Sequence, residues 1–213
     1  MATSPSSMVN FGKRNAIKSI AYYALFTGAT GLLVACSPGE KPEFKSIDLT
    51  GADYATGFVL ADQNGQQRSM KDFAGKVVIV FFGFTQCPDV CPTAMAELAQ
   101  IKKTMGADSD KLQVIFLTVD PERDTPELLK AYMGNFDPTF IALRPTMEQL
   151  PQVAKDFKIY YKKVEGKTPG SYSMDHSAGS YVYDPKGNIR LYSRYGNDAK
   201  GLTSDFRLLL KGA

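Results

Sequence analysis

Two stretches of the chain are apolar at nearly every position. Val77-Val-Ile-Val-Phe-Phe82 and Gln113-Val-Ile-Phe-Leu-Thr-Val119 are dominated by β-branched and aromatic side chains, the signature of strands buried on both faces of a parallel sheet. Between them, Met95, Leu98, Ile101 and Met105 recur at helical intervals within residues 92–105, and Lys102 and Lys103 stand near the end, where cations complement the helix dipole. Strand, helix, strand in that order predicts a right-handed βαβ crossover. Thr125 and Pro126 supply an N-cap and a first-turn proline for a helix over 127–136. Thr146 and Gln149 form a capping box for another, running to about residue 158. A short strand near 139–142 separates these two helices.

The flanks are patterned differently. Residues 57–66 read as a strand running into an Asn64-Gly65 turn, so a small hairpin opens the domain. Residues 160–164 are extended, and the alternation in 179–184, then Pro185-Lys-Gly-Asn188 and 189–195, predicts an antiparallel hairpin. The Tyr-rich segments, Tyr160 with Tyr161 and Tyr181 with Tyr183, pack on or line the sheet. A helix over 202–210 closes the chain and turns Phe206, Leu209 and Leu210 inward. No internal repeat and no second domain is evident.

Composition confirms a globular chain: of 213 residues, 44% are hydrophobic and 22% charged, with neither the bias of a disordered segment nor that of a fibrous repeat. The formal charge is +3, but Lys13, Arg14 and Lys18 precede an uncharged, mostly apolar stretch from residue 19 to 39. Without them the remainder is neutral, which argues against nucleic acid as a partner. A basic start followed by an apolar run is an export signal. It ends in Leu33-Val-Ala-Cys36, which resembles the lipobox of bacterial lipoproteins, so Cys36 is the expected lipidation site; an uncleaved transmembrane helix is the alternative. Either anchor puts the domain on the periplasmic side of a membrane, in an oxidising compartment. Residues 37–50 combine Pro, Gly and charge and read as a tether. The expected organisation is a signal peptide or membrane anchor over 1–35, a tether over 36–47 and one domain over 48–211.

Three Cys and one His make up the soft-ligand inventory. Cys87 and Cys91 follow the first buried strand directly and precede the helix. Unpaired backbone N–H groups and the helix dipole at such a junction favour thiolate, so at least one reactive thiolate with a pKa below about 8.5 is expected. Three intervening residues let the two sulfurs meet, as a disulfide or around one ion. His176 precedes the strand at Gly179. In a thioredoxin-like sheet that strand runs antiparallel to the buried pair, and His176 then faces the Cys loop. Two thiolates and one imidazole fall short of the four ligands of a closed zinc site. Thiolates suit Cu(I) and an added imidazole suits Cu(II), so copper in both states is the expected cargo, in a site open enough for a partner to take it. Asp120 and Asp124, in Asp120-Pro-Glu-Arg-Asp124-Thr-Pro126, lie at the same sheet edge. They are expected either to orient His176 from outside the ligand set or to cap the loop and helix. Asp175, beside His176, is a weaker candidate for the same role.

Phe-Phe-Gly-Phe-Thr-Gln-Cys87-Pro-Asp-Val-Cys91-Pro, Thr118-Val-Asp-Pro-Glu-Arg-Asp-Thr-Pro126 and Asp175-His176-Ser together resemble the Sco/SenC copper-chaperone family over about residues 48–211. The resemblance implies an α/β, thioredoxin-like three-layer sandwich with a mixed central sheet, and copper ligands at Cys87, Cys91 and His176. It also implies a role in building the CuA centre of cytochrome c oxidase, with the apo copper-binding subunit or another copper or thiol protein as partner. Two readings compete. A thiol–disulfide oxidoreductase would keep both cysteines and need no His, but here three residues separate the cysteines and His176 stands where thioredoxins place a cis-proline. A peroxiredoxin signature fails, because Thr85 lies only two residues before Cys87 and Val80 occupies the position seven before it.

Overall fold

Backbone pairing assembles the apolar runs into one sheet. The computed structural model describes residues 43–213. Its strands are β1 (Ile47–Asp48), β2 (Val59–Asp62), β3 (Gln67–Ser69), β4 (Val77–Gly83), β5 (Leu112–Thr118), β6 (Ile141–Arg144), β7 (Tyr161–Glu165), β8 (Tyr172–His176), β9 (Gly179–Tyr183) and β10 (Ile189–Arg194). Its α-helices are α1 (Val90–Thr104), α2 (Pro126–Gly134), α3 (Leu150–Asp156) and α4 (Ala199–Leu210). Eight strands line up in the order β1-β10-β9-β4-β5-β6-β2-β3, while β7 and β8 pair separately. Parallel pairing is confined to β4–β5 and β5–β6, the two pairs joined through α1 and α2, and the other ladders are antiparallel. This is the mixed α/β, thioredoxin-like architecture anticipated above.

All seven residues of β4 and all seven of β5 are buried, as strands enclosed on both faces must be. Helices α1 and α4 pack together, and α2 lies against β6. Two tyrosines of β9 enter the core with their hydroxyls satisfied: Tyr181 donates to the Phe157 carbonyl at 2.5 Å and Tyr183 to that of Ala55 at 2.7 Å. Tyr160, by contrast, is exposed. Strands β2 and β3 pair antiparallel, and β2 also pairs with β6, so the two form an edge of the main sheet.

Several boundaries move for local reasons. Helix α1 starts at Val90, two residues earlier than the periodicity predicts, which puts Cys91 in its first turn. Helix α4 starts at Ala199 because the Asp198 carboxylate accepts the Gly201 N–H at 3.2 Å. The Thr146–Gln149 box forms reciprocally, at 2.9 and 3.2 Å, ahead of a helix that ends by Asp156. Residues 45–49, at the end of the segment read as a tether, are tied to the sheet. Lys45 and Ser46 donate their N–H groups to the buried Asp205 carboxylate, both at 2.8 Å, and β1 pairs with β10. A two-residue edge strand leaves too little periodicity to be read. The expected anchor, Cys36 and most of the tether lie outside the described residues. Among those described, no helix is long and apolar enough to cross a membrane.

The topology gathers three chain segments at one edge. Gly83 pairs with Thr118 in parallel, so β4 and β5 end together. Ser180 pairs with Phe81 in the antiparallel β9–β4 ladder, so β9 begins where β4 ends. His176 thus enters the edge from which the Cys loop leaves.

Replacing Asp205 by Ala strands two backbone N–H groups at β1, each worth about 1–3 kcal/mol when buried without a partner. Chemical denaturation of Asp205→Ala should show a loss of about 2 kcal/mol; a loss below about 0.5 kcal/mol would mean that this carboxylate does not hold the segment.

Candidate metal centre

Gly83 ends β4 at a point where no side chain fits. A Cβ there would lie 2.7 Å from Phe116 Cε2 and 2.9 Å from Cys91 Sγ. Its absence lets the first turn of α1 settle against the sheet, and Cys91 is fully buried as a result. Cys87, half-buried in the loop, accepts the Cys91 N–H on its sulfur at 3.5 Å. Both cysteines are free thiols. His176 closes β8 with Nε2 3.8 Å from Cys91 Sγ. Phe81 and Phe84 meet the imidazole edge-on, with ring centroids 6.5 and 5.8 Å away.

Hydrogen bonding sets the tautomer. His176 Nδ1 lies 3.0 Å from the Ser177 carbonyl oxygen, which can only accept, so Nδ1 carries the ring proton. In the neutral imidazole Nε2 then offers a lone pair, and the Cys91 thiol is the donor between them. Burial pushes the Cys91 thiol well above its ordinary range, and the neighbouring Cys87 and Asp124 add to the shift. Burial also lowers the His176 imidazole below 6.5, against opposing contributions from the Ser177 carbonyl and Asp175. The pair is therefore thiol and imidazole, not thiolate and imidazolium. Burial thus works against a thiolate at Cys91, with a backbone hydrogen bond at Phe84 opposing it. A soft cation can take the place of the shared proton. Among the described residues no three His, Cys, Asp or Glu side chains are arranged to hold an ion as they stand.

None of the three candidate carboxylates hydrogen-bonds to the imidazole. Asp124, fully buried, accepts from Thr85 Oγ1 at 2.6 Å, the Thr85 N–H at 3.2 Å and Thr118 Oγ1 at 2.5 Å. It straps the Cys loop to β5, while Thr125 caps α2 by accepting the Leu128 N–H at 3.3 Å. Burial raises the Asp124 carboxyl despite these donors. Asp120 accepts from Arg123 Nε at 2.5 Å and from the Tyr172 hydroxyl at 2.9 Å. Asp175 lies on the exposed face of β8, opposite His176, because successive strand residues alternate. Sequence reasoning passed over Arg123, inside the quoted Asp120–Asp124 motif, and Tyr172, which has no local signal. It also passed over Tyr132, whose buried hydroxyl has no partner among the described residues and whose ring lies 5.5 Å from that of Phe116.

Two outcomes test this geometry. Gly83→Ala drives a methyl into the Phe116 ring and Cys91 Sγ, and should cost about 1–3 kcal/mol by denaturation; a neutral effect would contradict the close packing. In the metal-free protein, His176 stabilises the fold above about pH 6.5 and loses that contribution as pH falls through its lowered folded value, because the unfolded imidazole takes the proton first. The melting-temperature gap between the parent and His176→Gln should therefore narrow from about pH 7.5 to about pH 5.5, and a gap independent of pH would refute the buried neutral ring.

Residues 48–211 match the family model described as SCO1/SenC. The "SCO2-like protein" of Rickettsia felis is 34% identical over 178 residues, covering 81% of this chain and 87% of the relative. Among solved structures, Bradyrhizobium japonicum ScoI with copper bound superposes with a TM-score of 0.65 at 38% identity, over 72% of this chain and 97% of that one. A SCO1/SenC family lipoprotein from Bacillus anthracis gives a TM-score of 0.62 at 27% identity, over 72% and 92%. With one family model spanning β9, β10 and the whole β4–α1–β5 unit that builds this edge, the chain belongs to the SCO1/SenC family.

Proposed function

We propose that this protein is a membrane-tethered, extracytoplasmic copper chaperone that holds Cu(I) or Cu(II) through Cys87, Cys91 and His176 and serves assembly of the CuA centre of cytochrome c oxidase. The observation that carries the reading is the 3.8 Å approach of His176 Nε2 to Cys91 Sγ across 85 residues of sequence. First-row metal bonds of about 2.3 Å to sulfur and about 2.0 Å to nitrogen span such a distance at an angle near 120°. The bare Nε2 lone pair suits a metal ligand, and the copper bound to the similar ScoI supports copper as the ion. The anchor over residues 1–35, with lipidation at Cys36 and a tether from 36 to about 47, is part of this proposal. The lipoprotein among the similar structures favours it over an uncleaved helix.

Binding begins when the two thiols give up their protons to solvent and both sulfurs take the ion. Cu(I) is satisfied by the thiolate pair, whereas Cu(II) draws on the imidazole, whose Nδ1–H bond to Ser177 keeps Nε2 directed at the site. Transfer proceeds by exchange of these ligands for those of an apo acceptor docked at the open side, where Cys87 is half-exposed. The free, adjacent thiols also favour a second reading, reduction of the acceptor. Cys87 and Cys91 would give two electrons and two protons to an acceptor disulfide, forming one intramolecular disulfide here and two thiols there. That disulfide would abolish copper binding, so the redox state gates the carrier.

Anaerobic titration of the reduced protein should show one copper per chain, lost in Cys87→Ser and in Cys91→Ser. His176→Ala should weaken Cu(II) by about a hundredfold or more while leaving Cu(I) within a few-fold. Equal losses of both ions would overturn the role given to His176. A parent that binds no copper yet reduces disulfides rapidly would hand the function to the second reading.

A further inference from the structure

His176 ends β8, but β7 and β8 form a two-stranded sheet that shares no ladder with the main one. β9 starts three residues later and brings His176 to the sheet edge, so the docking of this hairpin sets the rest of the imidazole's placement. Alternation puts Tyr172, Met174 and His176 on the half-buried face of β8 and leaves Ser173 and Asp175 exposed. Met174 and Tyr161 pack on the core, but apolar contact is non-directional and does not by itself set where the hairpin sits along that surface. The hydrogen bonds between Ser177 and Tyr160 close the hairpin's own base. The Lys163–Glu122 ion pair is exposed and contributes little.

The directional contacts run through Arg123 and the Tyr172 hydroxyl, which also donates to Glu122 at 3.4 Å. Arg123 Nη1 donates to the Tyr172 carbonyl at 2.8 Å and to Gln86 Oε1 at 3.1 Å, and its Nε donates to Asp120 at 2.5 Å. The guanidinium carbon lies 3.5 Å from the centroid of the Tyr172 ring, whose hydroxyl returns to Asp120 at 2.9 Å. One planar side chain thus touches the residue before Cys87, the loop after β5 and the strand that carries His176. Its remaining nitrogen, Nη2, is buried with no partner among the described residues. Stacking on Tyr172 and the pair with Asp120 stand against that desolvation.

The geometry points to Arg123 as a positioning residue that latches the β7–β8 hairpin to the Cys loop and thereby holds His176 over Cys91. The latch makes the imidazole depend on the hairpin's docking as well as on the start of β9, so the ion that uses His176 depends on Arg123 and the ion that uses only sulfur does not. The copper consequence rests on the ligand set proposed above; the docking itself does not. Lys cannot replace Arg here, because the contacts need a planar fork with several fixed N–H directions.

The test uses the full protein, first without metal. Hydrogen exchange of the β7–β8 amides should accelerate by about tenfold or more in Arg123→Ala and in Arg123→Lys, while β4 and β5 remain protected as in the parent. Tyr172→Ala removes the stacking platform from the other side, and should reproduce the effect if Arg123→Ala does not fold. Unchanged hairpin exchange would overturn the latch, as would equal acceleration in β4 and β5, which marks general destabilisation. With copper, Arg123→Lys should lose about tenfold or more in Cu(II) affinity with Cu(I) within about threefold, and its Cu(II) spectrum should move toward that of His176→Ala. If the parent binds no copper, the ligand reading fails and the exchange data alone decide the latch.

Discussion

The site depends on β4 being bonded on both sides by strands of opposite direction. Its parallel partner, β5, must end where β4 ends, and its antiparallel partner, β9, must begin there. One sheet edge therefore receives the Cys loop and α1 from β4, the Asp120–Asp124 loop from β5, and the approach of His176 to β9. Burial of both faces of β4 and β5 fixes this register strongly, since a slip by one residue would exchange every inward side chain. Gly83 is where the constraint is tightest: the strand, the Phe116 ring and the Cys91 sulfur come together there with no room for a Cβ.

Desolvation then decides the chemistry of what has been gathered. A helix start favours thiolate, and an imidazole nearby suggests an ion pair, yet Cys91 is fully buried and His176 is enclosed by Phe81 and Phe84. In such a setting both groups stay neutral and share a proton across 3.8 Å. A neutral pair of this kind does not attract any cation by charge alone. In the proposed ligand set it would discriminate by softness, because the gain from the metal–sulfur bond has to exceed the cost of removing the proton.

The surroundings divide into a rigid part and an attached part. Asp124 ties Thr85 to Thr118, so the Cys loop is held to β5 by a buried carboxylate with three donors. The His176 hairpin has no ladder to the sheet, and its directional attachment joins Tyr172 to Asp120 and Arg123 of the loop after β5. If Cys87, Cys91 and His176 hold the ion as proposed, sulfur on the rigid part and nitrogen on the attached part would give the carrier two modes of grip, of different strength, within one edge.

Much of this was legible in the residue pattern. The continuous apolar runs at 77–82 and 113–119 and the helical spacing from Met95 to Met105 marked the core βαβ unit, because burial on two faces leaves no other pattern. Cys87, Cys91 and His176 stood out by type and placement. β8 was not legible, since Tyr172-Ser-Met-Asp-His176 is half polar and its partner β7 is mostly exposed; such a hairpin exists through pairing, not through its own periodicity. The protonation of Cys91, the turning away of Asp175 and the diversion of Asp120 to Arg123 and Tyr172 are likewise invisible locally. By itself the sequence determined which residues face inward on the core strands and helices, because periodicity of 2 or 3.6 is a local property of the chain. Only the tertiary structure decided which inward residues meet and how much water they keep, because distance and desolvation belong to segments far apart in the chain, 85 residues in the case of Cys91 and His176.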